Sequence, residues 1–227
     1  MSVIKAPKTS VATEDECFEI LGLDWSAYVA ISDALGDQPK LRTLYLDGSL
    51  TFLSPAFIHE SSEDYFDKII LAIVIGCEIE IIPIGSTTLR KVKGEVGLEG
   101  DKAYYLGEKA VEMSGMRALD LNLDPPPDLA IEVENSNMAD KSMAIYARLG
   151  VAEVWRHDVR RGKLSFWSLG ADGQYTAIER SLGFPFLEPE DVLFQIKRAE
   201  EIGSFNRWFV QLNEWVRDEI RPRLAQL

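Results

Sequence analysis

Residues 125–134 read Pro125-Pro126-Pro127-Asp128-Leu129-Ala130-Ile131-Glu132-Val133-Glu134. Because prolines cannot continue a β-ladder, the proline run fixes the start of a strand near Asp128. Side chains alternate along a strand, so Asp128, Glu132 and Glu134 would share one face. Acids gathered on one face repel each other and are costly to desolvate, and a bound divalent cation would relieve both effects. The pattern therefore indicates a candidate metal site.

The composition is that of a chain that can fold on its own. Its 227 residues suit one large or two small domains, and 46% hydrophobic residues, with 5 Trp, 7 Tyr and 10 Phe, can fill a core. There is no uncharged apolar run long enough to span a bilayer, and the N-terminus lacks the apolar core of a signal peptide. The 2 cysteines show no CxxC spacing, so structural zinc and a disulfide lack support. We therefore expect a soluble, cytoplasmic protein with no membrane segment.

The net charge limits how the protein could bind nucleic acid. At -13 it argues against a protein that coats nucleic acid by charge alone, since such proteins gain affinity when Lys and Arg release phosphate counterions. It does not exclude a nuclease, because an acidic body can carry one basic groove and metal-binding acids add to the negative count.

The periodicity predicts a chain of mixed helices and strands. A hairpin is expected over residues 42–53, joined at Asp47-Gly48, the strongest short-range hairpin signal present. The glycine-containing stretch 94–100 is typical of turns. Helices are predicted over residues 57–76, 138–149 and 199–220. Further strands are predicted over residues 78–84, 86–92, 101–106, 128–134, 152–157, 163–169 and 174–178.

The two ends are expected to be helical extensions of one domain. Residues 1–38 contain a plausible acidic helix over residues 14–21, and residues 198–227 hold the last helix. Residues 39–197 would form one α/β domain. On the last helix, apolar side chains recur at helical spacing and predict a packing stripe of Phe205, Trp208, Phe209, Leu212, Trp215 and Val216.

Asp101 is the expected partner of the acids in residues 128–134. It opens one predicted strand, and the strand that follows in sequence carries Glu132, so pairing of the two strands would bring these carboxylates together. Two carboxylates with a backbone carbonyl, such as that of Val133, form the oxygen cage that Mg²⁺ prefers. A lysine nearby could orient or deprotonate the attacking water, and Lys141 is the nearest candidate.

These segments closely resemble the Uma-two family of proposed restriction endonucleases, within the PD-(D/E)XK nuclease-like superfamily. The resemblance covers roughly residues 40–180. It is carried by Pro127 to Val133, by Lys141 with Tyr146 to Arg156, by Leu46-Asp47-Gly48-Ser49-Leu50, by Ser54-Pro55 with His59, and by Glu99 to Leu106.

The resemblance implies a set of site residues. Asp101 would be the first metal-binding acid and Glu132 the second, while Glu134 stands where the Glu-x-Lys lysine of the superfamily would be. The lysine would then come from the next helix, as Lys141. The sequence departs from the family pattern at three places. Gly100 stands where the pattern has the proline of Pro-Asp, and residues 135–137 read Asn-Ser-Asn instead of Ser-Pro-Ser. Lys141 lies five residues before Tyr146, where four are expected.

Several residues keep alternative interpretations. Glu134 is either a third metal ligand or a solvated acid, and Asp128 is either a ligand or a partner of nearby backbone. Lys141 is either catalytic or a solvated lysine in the first turn of a helix. Accessory site residues on the first turns of the 57–76 helix are His59, Glu60 and Glu63.

The implied fold is an α/β restriction-endonuclease-like core, with a central mixed β-sheet flanked by helices. The implied function is a metal-dependent DNA endonuclease, using Mg²⁺ or Mn²⁺ and acting as a homodimer through the C-terminal helix. One alternative is a catalytically weakened nuclease-fold protein that acts as a binding or assembly module, which the net charge of -13 and Glu134 support. Another is a metal-dependent hydrolase of a small phosphate ester.

Overall fold

The computed structural model describes residues 15–36, 41–85, 87–134 and 138–226, without the side chains of residues 57–60. Within these ranges the chain forms a mixed α/β structure with two β-sheets. The strands are β1 (Glu16–Leu21), β2 (Arg42–Leu46), β3 (Ser49–Ser54), β4 (Ile81–Pro83), β5 (Thr88–Lys91), β6 (Val96–Glu99), β7 (Lys102–Leu106), β8 (Leu129–Glu134), β9 (Glu153–Asp158), β10 (Lys163–Leu169) and β11 (Tyr175–Ile178).

The helices pack on these sheets and continue to the end of the chain. They are α1 (Trp25–Leu35), α2 (Phe57–Cys77), α3 (Gly107–Glu112), α4 (Ala139–Leu149), α5 (Pro189–Ile202), α6 (Phe205–Trp215), a π-helical segment (Val216–Ile220) and α7 (Arg221–Leu224). Among the described residues, none of these helices has the length and apolar character needed to cross a bilayer.

The central mixed sheet expected from the sequence is present as a six-stranded sheet, but the strands also form a second sheet that was not expected. One has five antiparallel strands in the order β1-β3-β2-β6-β5, and the other has six in the order β11-β10-β9-β8-β7-β4. The six-stranded sheet is mixed, since β8 and β9 run parallel while its other neighbours are antiparallel. The extra sheet exists because β6 joins the β2–β3 hairpin to β5.

Strand β6 lies in the stretch that the sequence assigned to turns. Its Gly97 is a strand glycine, where a side chain would collide with the ring of Tyr28. A glycine within a strand often marks a place where another group packs closely against the backbone. Because glycine has a low propensity for strands, the sequence did not indicate a strand here. The turn assignment over 94–100 is therefore wrong for Val96–Glu99.

The predicted hairpin is confirmed. Strands β2 and β3 pair antiparallel, with Leu46 opposite Ser49. Asp47 and Gly48 connect them with φ of 50° and 80°, the positive values that a two-residue hairpin turn with right-handed twist requires. The helix predicted over 57–76 is also confirmed, as α2.

The predicted acidic helix over residues 14–21 is wrong. Glu16–Leu21 form β1, an exposed edge strand that pairs with β3 and sets Glu19 opposite Thr51. The free edge of β3 supplies backbone partners that an isolated short helix does not have, and tertiary pairing overrides local preference. Residue 14 lies outside the described residues.

The single helix predicted over 199–220 is divided. Gly203, with φ of 58°, ends α5, and α6 begins two residues later. The packing stripe is confirmed in its main part, because Trp208, Leu212 and Val216 are buried in the core. The indole of Trp208 also donates to the carbonyl of Gln195 at 3.0 Å.

The six-stranded sheet separates two hydrophobic cores. On one face, Ile131 and Val133 of β8 pack with residues of α2, α5 and α6. On the other face, Ala130 packs with α4 and with residues of the five-stranded sheet. Since side chains alternate along β8, Glu132 lies on the second face, between the two sheets. The fold therefore places this acid inside the molecule.

Candidate active site

Strands β7 and β8 bring Asp101 and Glu132 together, as the sequence predicted. Lys102 lies opposite Ile131 in the antiparallel register, so the preceding residue, Asp101, falls opposite Glu132. Asp101 Oδ2 accepts a hydrogen bond from the backbone N–H of Val133 at 2.5 Å. Asp101 is 3% exposed and Glu132 is 9% exposed. The two acids thus form a buried pair at the start of β7.

Arg42 joins this pair from the other sheet. Its Nη1 donates to Asp101 Oδ1, and its Nη2 donates to Glu63 Oε1 at 2.7 Å. Glu63 comes from α2 and is 5% exposed. We name Arg42, Glu63, Asp101 and Glu132 the acid cluster. Glu63 was an expected accessory residue, whereas Arg42 was missed.

The electrostatics of the cluster keep Arg42 charged. Burial by itself would lower the pKa of Arg42, but the nearby carboxylates of Asp101 and then Glu63 outweigh it and raise that pKa above its ordinary value. Glu132 makes a smaller contribution in the same direction. A guanidinium held in this way is the counter-charge that buried carboxylates require.

Tyr146 of α4 completes the surroundings of Glu132. Its hydroxyl donates to Glu132 Oε2 at 3.2 Å. Burial, followed by the charges of Glu132 and Asp101, raises the pKa of Tyr146 well above its ordinary value, so the hydroxyl stays protonated and remains a donor. The same hydroxyl lies where the Cβ atom of any side chain at position 100 would be, so Gly100 and Tyr146 fit together only because Gly100 has no side chain.

Lys141 is engaged away from Glu132. Its Nζ donates to Ser49 Oγ at 2.6 Å, to Thr51 Oγ1 at 2.7 Å and to Glu19 Oε1 at 3.0 Å. An ammonium group has three hydrogens, and these three contacts use them all. Hydrogen bonding from Ser49, and then from Lys141, lowers the pKa of Glu19. Lys141 therefore ties α4 to β1 and β3.

The other acids beside Glu132 have partners of their own. Glu134 Oε2 accepts from Arg156 Nε at 3.1 Å and from its Nη2 at 2.9 Å. Asp128 accepts from the backbone N–H of Leu106 at 2.9 Å and forms an ion pair with Lys109 at 2.5 Å. The structure thus distributes the three acids of residues 128–134 over three environments. The side chains of His59 and Glu60, and residues 135–137, lie outside the described residues.

The donor chemistry of the cluster fits a magnesium ion. Within the described part of the chain, no three His, Cys, Asp or Glu side chains group as a metal centre. Mg²⁺ does not need three, because it commonly takes one or two carboxylates and completes its shell with water and substrate phosphates. Asp101 and Glu132 supply two buried carboxylates that already attract one cation, Arg42.

Comparison with known proteins agrees with the fold. The family model Uma2, described as "Putative restriction endonuclease", matches residues 25–199. The chain belongs to the Uma2 family. The resemblance to the Uma-two family drawn from the sequence is therefore confirmed. The Uma2 match also includes Arg42, Glu63, Asp101 and Glu132.

A solved structure has the same fold. It is the crystal structure of "a putative nuclease belonging to DUF820" from Anabaena variabilis ATCC 29413, with 11% sequence identity and a TM-score of 0.53. The likeness covers 77% of the present chain and 99% of that chain. A search of curated proteins found no match. At this identity the structural likeness shows a shared fold, and the Uma2 match shows the family.

Proposed function

We propose that this Uma2 protein is a metal-dependent nuclease that hydrolyses phosphodiester bonds of DNA. The observation that carries the proposal is the buried pair of Asp101 and Glu132, which β7 and β8 set side by side. Family membership supports the reaction class. The net charge of -13 is compatible with it, because the acids of the cluster are part of that charge.

The residues of the cluster would have separate tasks. Asp101 and Glu132 would hold Mg²⁺ or Mn²⁺, which when bound polarises a phosphoryl oxygen and lowers the pKa of its water. The backbone N–H of Val133 fixes the orientation of Asp101, and the hydroxyl of Tyr146 fixes that of Glu132. Both acids are enclosed, so the low local dielectric strengthens their hold on a cation.

DNA as the substrate is supported by a cavity on the outer side of α4. It has a volume of about 600 Å³ and its lining includes Arg148, Arg156, Trp167 and Tyr175. Arginines suit phosphates, and aromatic rings suit unstacked bases. Arg156 also pairs with Glu134, two residues beyond Glu132 on β8, so the cavity lies close to the proposed site. Asp47 and Glu134 already pair with these two arginines, so a phosphate would have to compete with those acids.

The proposed homodimer would place two sites on one duplex. Helices α5 and α6 leave Phe194, Phe205 and Val210 more than half exposed, and such side chains are suited to a contact between copies. Sedimentation equilibrium of the purified chain measures the mass in solution. A mass of one chain at all concentrations would contradict the dimer.

The decisive experiment is a cleavage assay with matched variants. We expect the wild type to nick supercoiled DNA with Mg²⁺ or Mn²⁺, and Asp101→Asn and Glu132→Gln to lower the rate by about 100-fold or more, since each removes a charged ligand of the metal that would stabilise the reacting phosphate. Asp158→Asn is the control, because Asp158 lies on the neighbouring strand β9 and pairs with Arg161 at 2.9 Å. Intact DNA with the wild type, or equal rates for all variants, would refute the proposal.

A second candidate is a catalytically weakened nuclease-fold protein that acts as a binding or assembly module. The observation that favours it is the placement of the basic groups: the lysine position of the motif is Glu134, paired with Arg156, and Lys141 is fully engaged with Glu19, Ser49 and Thr51. This candidate predicts that the wild type binds DNA or a second chain but leaves DNA uncut in either metal.

A further inference from the structure

Within the acid cluster, Arg42 lies among the three acids as a bound cation would. Its guanidinium lies against Asp101 through Nη1 and against Glu63 through Nη2. The side chains of Arg42, Asp101 and Glu63 are 10%, 4% and 7% exposed, so these three residues are enclosed rather than solvated. Glu132 also contributes to the electrostatic stabilisation of Arg42. One cationic side chain is thus shared by three carboxylic residues.

Both oxygens of Asp101 are in use in this arrangement. Oδ1 accepts from Arg42 and Oδ2 accepts from the backbone N–H of Val133. The N–H of Val133 is fixed by the β-strand, whereas Arg42 is a side chain that can rotate. A divalent ion that approached Oδ1 would meet the positive guanidinium at close range, and the two positive charges would repel each other in the low dielectric of the protein interior.

We propose that Arg42 is a tethered counter-cation that competes with divalent metal for Asp101 and must leave it before metal can bind. The proposal rests on the metal site proposed above. Glu63 gives the displaced guanidinium a place to stay, because it already holds the second arm of Arg42 at 2.7 Å. The planar fork of arginine suits such a two-acid bridge, and releasing one arm keeps the other bound.

The competition makes Arg42 an autoinhibitory contact. Without metal, Arg42 offsets part of the negative charge of the buried acids and holds the five-stranded sheet against β7. With metal, the same acids receive their positive charge from the ion, and the contact between Arg42 and Asp101 is no longer needed. Removing Arg42 should therefore have opposite effects on the two states: it should destabilise the metal-free protein and strengthen metal binding.

The test measures thermal unfolding and Mn²⁺ calorimetry on the full chain without DNA. In EDTA, we expect Arg42→Met to lower the Tm by about 10 °C, since it breaks a buried ion pair. We expect Arg42→Met to bind Mn²⁺ about tenfold or more tightly than the wild type, because a competing charge is gone. Mn²⁺ should then raise the Tm of Arg42→Met more than that of the wild type.

Two further variants keep the test decisive. Arg42→Lys retains the charge and preserves folding, but a point charge holds two acids less well than a fork, so Mn²⁺ affinity should rise by a smaller factor. Arg223→Met is the matched control, since it removes an arginine that pairs with Asp191 at 2.8 Å, and it should lose stability without any gain in Mn²⁺ affinity.

The outcomes separate this inference from the proposed function. If Mn²⁺ binds the wild type, and Asp101→Asn abolishes that binding, but neither Arg42→Met nor Arg42→Lys binds more tightly, Arg42 is not a competitor and only the inference fails. If neither the wild type nor an Arg42 variant binds Mn²⁺, the metal site fails and the inference fails with it. Tighter binding that persists in Arg42→Met with Asp101→Asn would also overturn it.

Discussion

At the scale of single residues, the acid cluster shows how a glycine beside a candidate site residue can be required by another side chain. Gly100 precedes Asp101, and its missing side chain leaves the space that the hydroxyl of Tyr146 fills. That hydroxyl in turn donates to Glu132. Tyr146 therefore cannot keep this position if residue 100 has a side chain.

This exclusion predicts a pair of coupled substitutions. Gly100→Ala should lower the free energy of unfolding by about 1–3 kcal/mol, because the added methyl group overpacks the site against Tyr146. Tyr146→Phe removes the hydroxyl and leaves the ring, so the double variant should cost less than the sum of the two single variants. Urea denaturation of the four proteins measures the coupling, and strict additivity would show that the two residues do not meet.

The same residues show what a sequence can predict about a site. Asp101 and Glu132 were predicted together because they lie on strands that follow each other in the chain, so a single antiparallel pairing joins them. Arg42 lies 59 residues before Asp101 and in the other sheet. A pattern among neighbouring residues cannot indicate a contact between two residues so far apart in the sequence. The one signal was a charged residue opening the apolar strand Arg42–Leu46.

At the scale of elements, predictions succeeded where local chemistry decides the structure. The turn at Asp47-Gly48 forces a hairpin through its positive φ values, and the length of α2 follows from a continuous helical pattern. They failed where a distant partner decides. β1 is a strand because β3 offers an edge, and β6 is a strand because β2 and β5 flank it.

The contact between α2 and the C-terminal π-helical segment gives a prediction for these elements. Gly76 lies inside α2, where alanine would ordinarily be favoured by about 1 kcal/mol. Here a methyl group would collide with Cγ1 of Val216, so Gly76→Ala should instead destabilise the protein by about 1–3 kcal/mol. Adding Val216→Ala should relieve the collision. Circular dichroism melts measure both variants, and a higher Tm for Gly76→Ala alone would contradict this packing.

At the scale of the whole molecule, the two sheets explain how an acidic chain keeps carboxylates inside. The acid cluster receives its positive charge across the space between the sheets, from β2 to β7. A further buried acid, Glu153 of β9, lies outside the acid cluster and is stabilised differently. It is 1% exposed, and the groups that hydrogen-bond to it are uncharged donors.

Glu153 fixes the connection from β11 to α5. Its Oε1 accepts from Trp155 Nε1 at 2.6 Å, and its Oε2 accepts from the backbone N–H groups of Leu182 and Gly183, both at 2.9 Å. Ser181 Oγ adds a fourth donor to Oε2 at 3.1 Å. Burial raises the pKa of Glu153 above its ordinary 4.5, and the hydrogen bonds, first that from Gly183, oppose the shift without cancelling it.

The direction of this shift predicts how the stability of the whole protein depends on pH. A carboxyl group with a raised pKa in the folded state contributes stability that is complete below pH 4.5 and is lost as the pH rises through the folded value. Glu153→Gln cannot titrate, so the free-energy difference between the wild type and Glu153→Gln should shift against the wild type as the pH rises from about 4 to about 7. Urea denaturation at several pH values, with the exposed Glu179→Gln as the control substitution, measures this difference. A difference that stays constant, or that shifts in favour of the wild type, would mean that hydrogen bonding rather than burial governs Glu153.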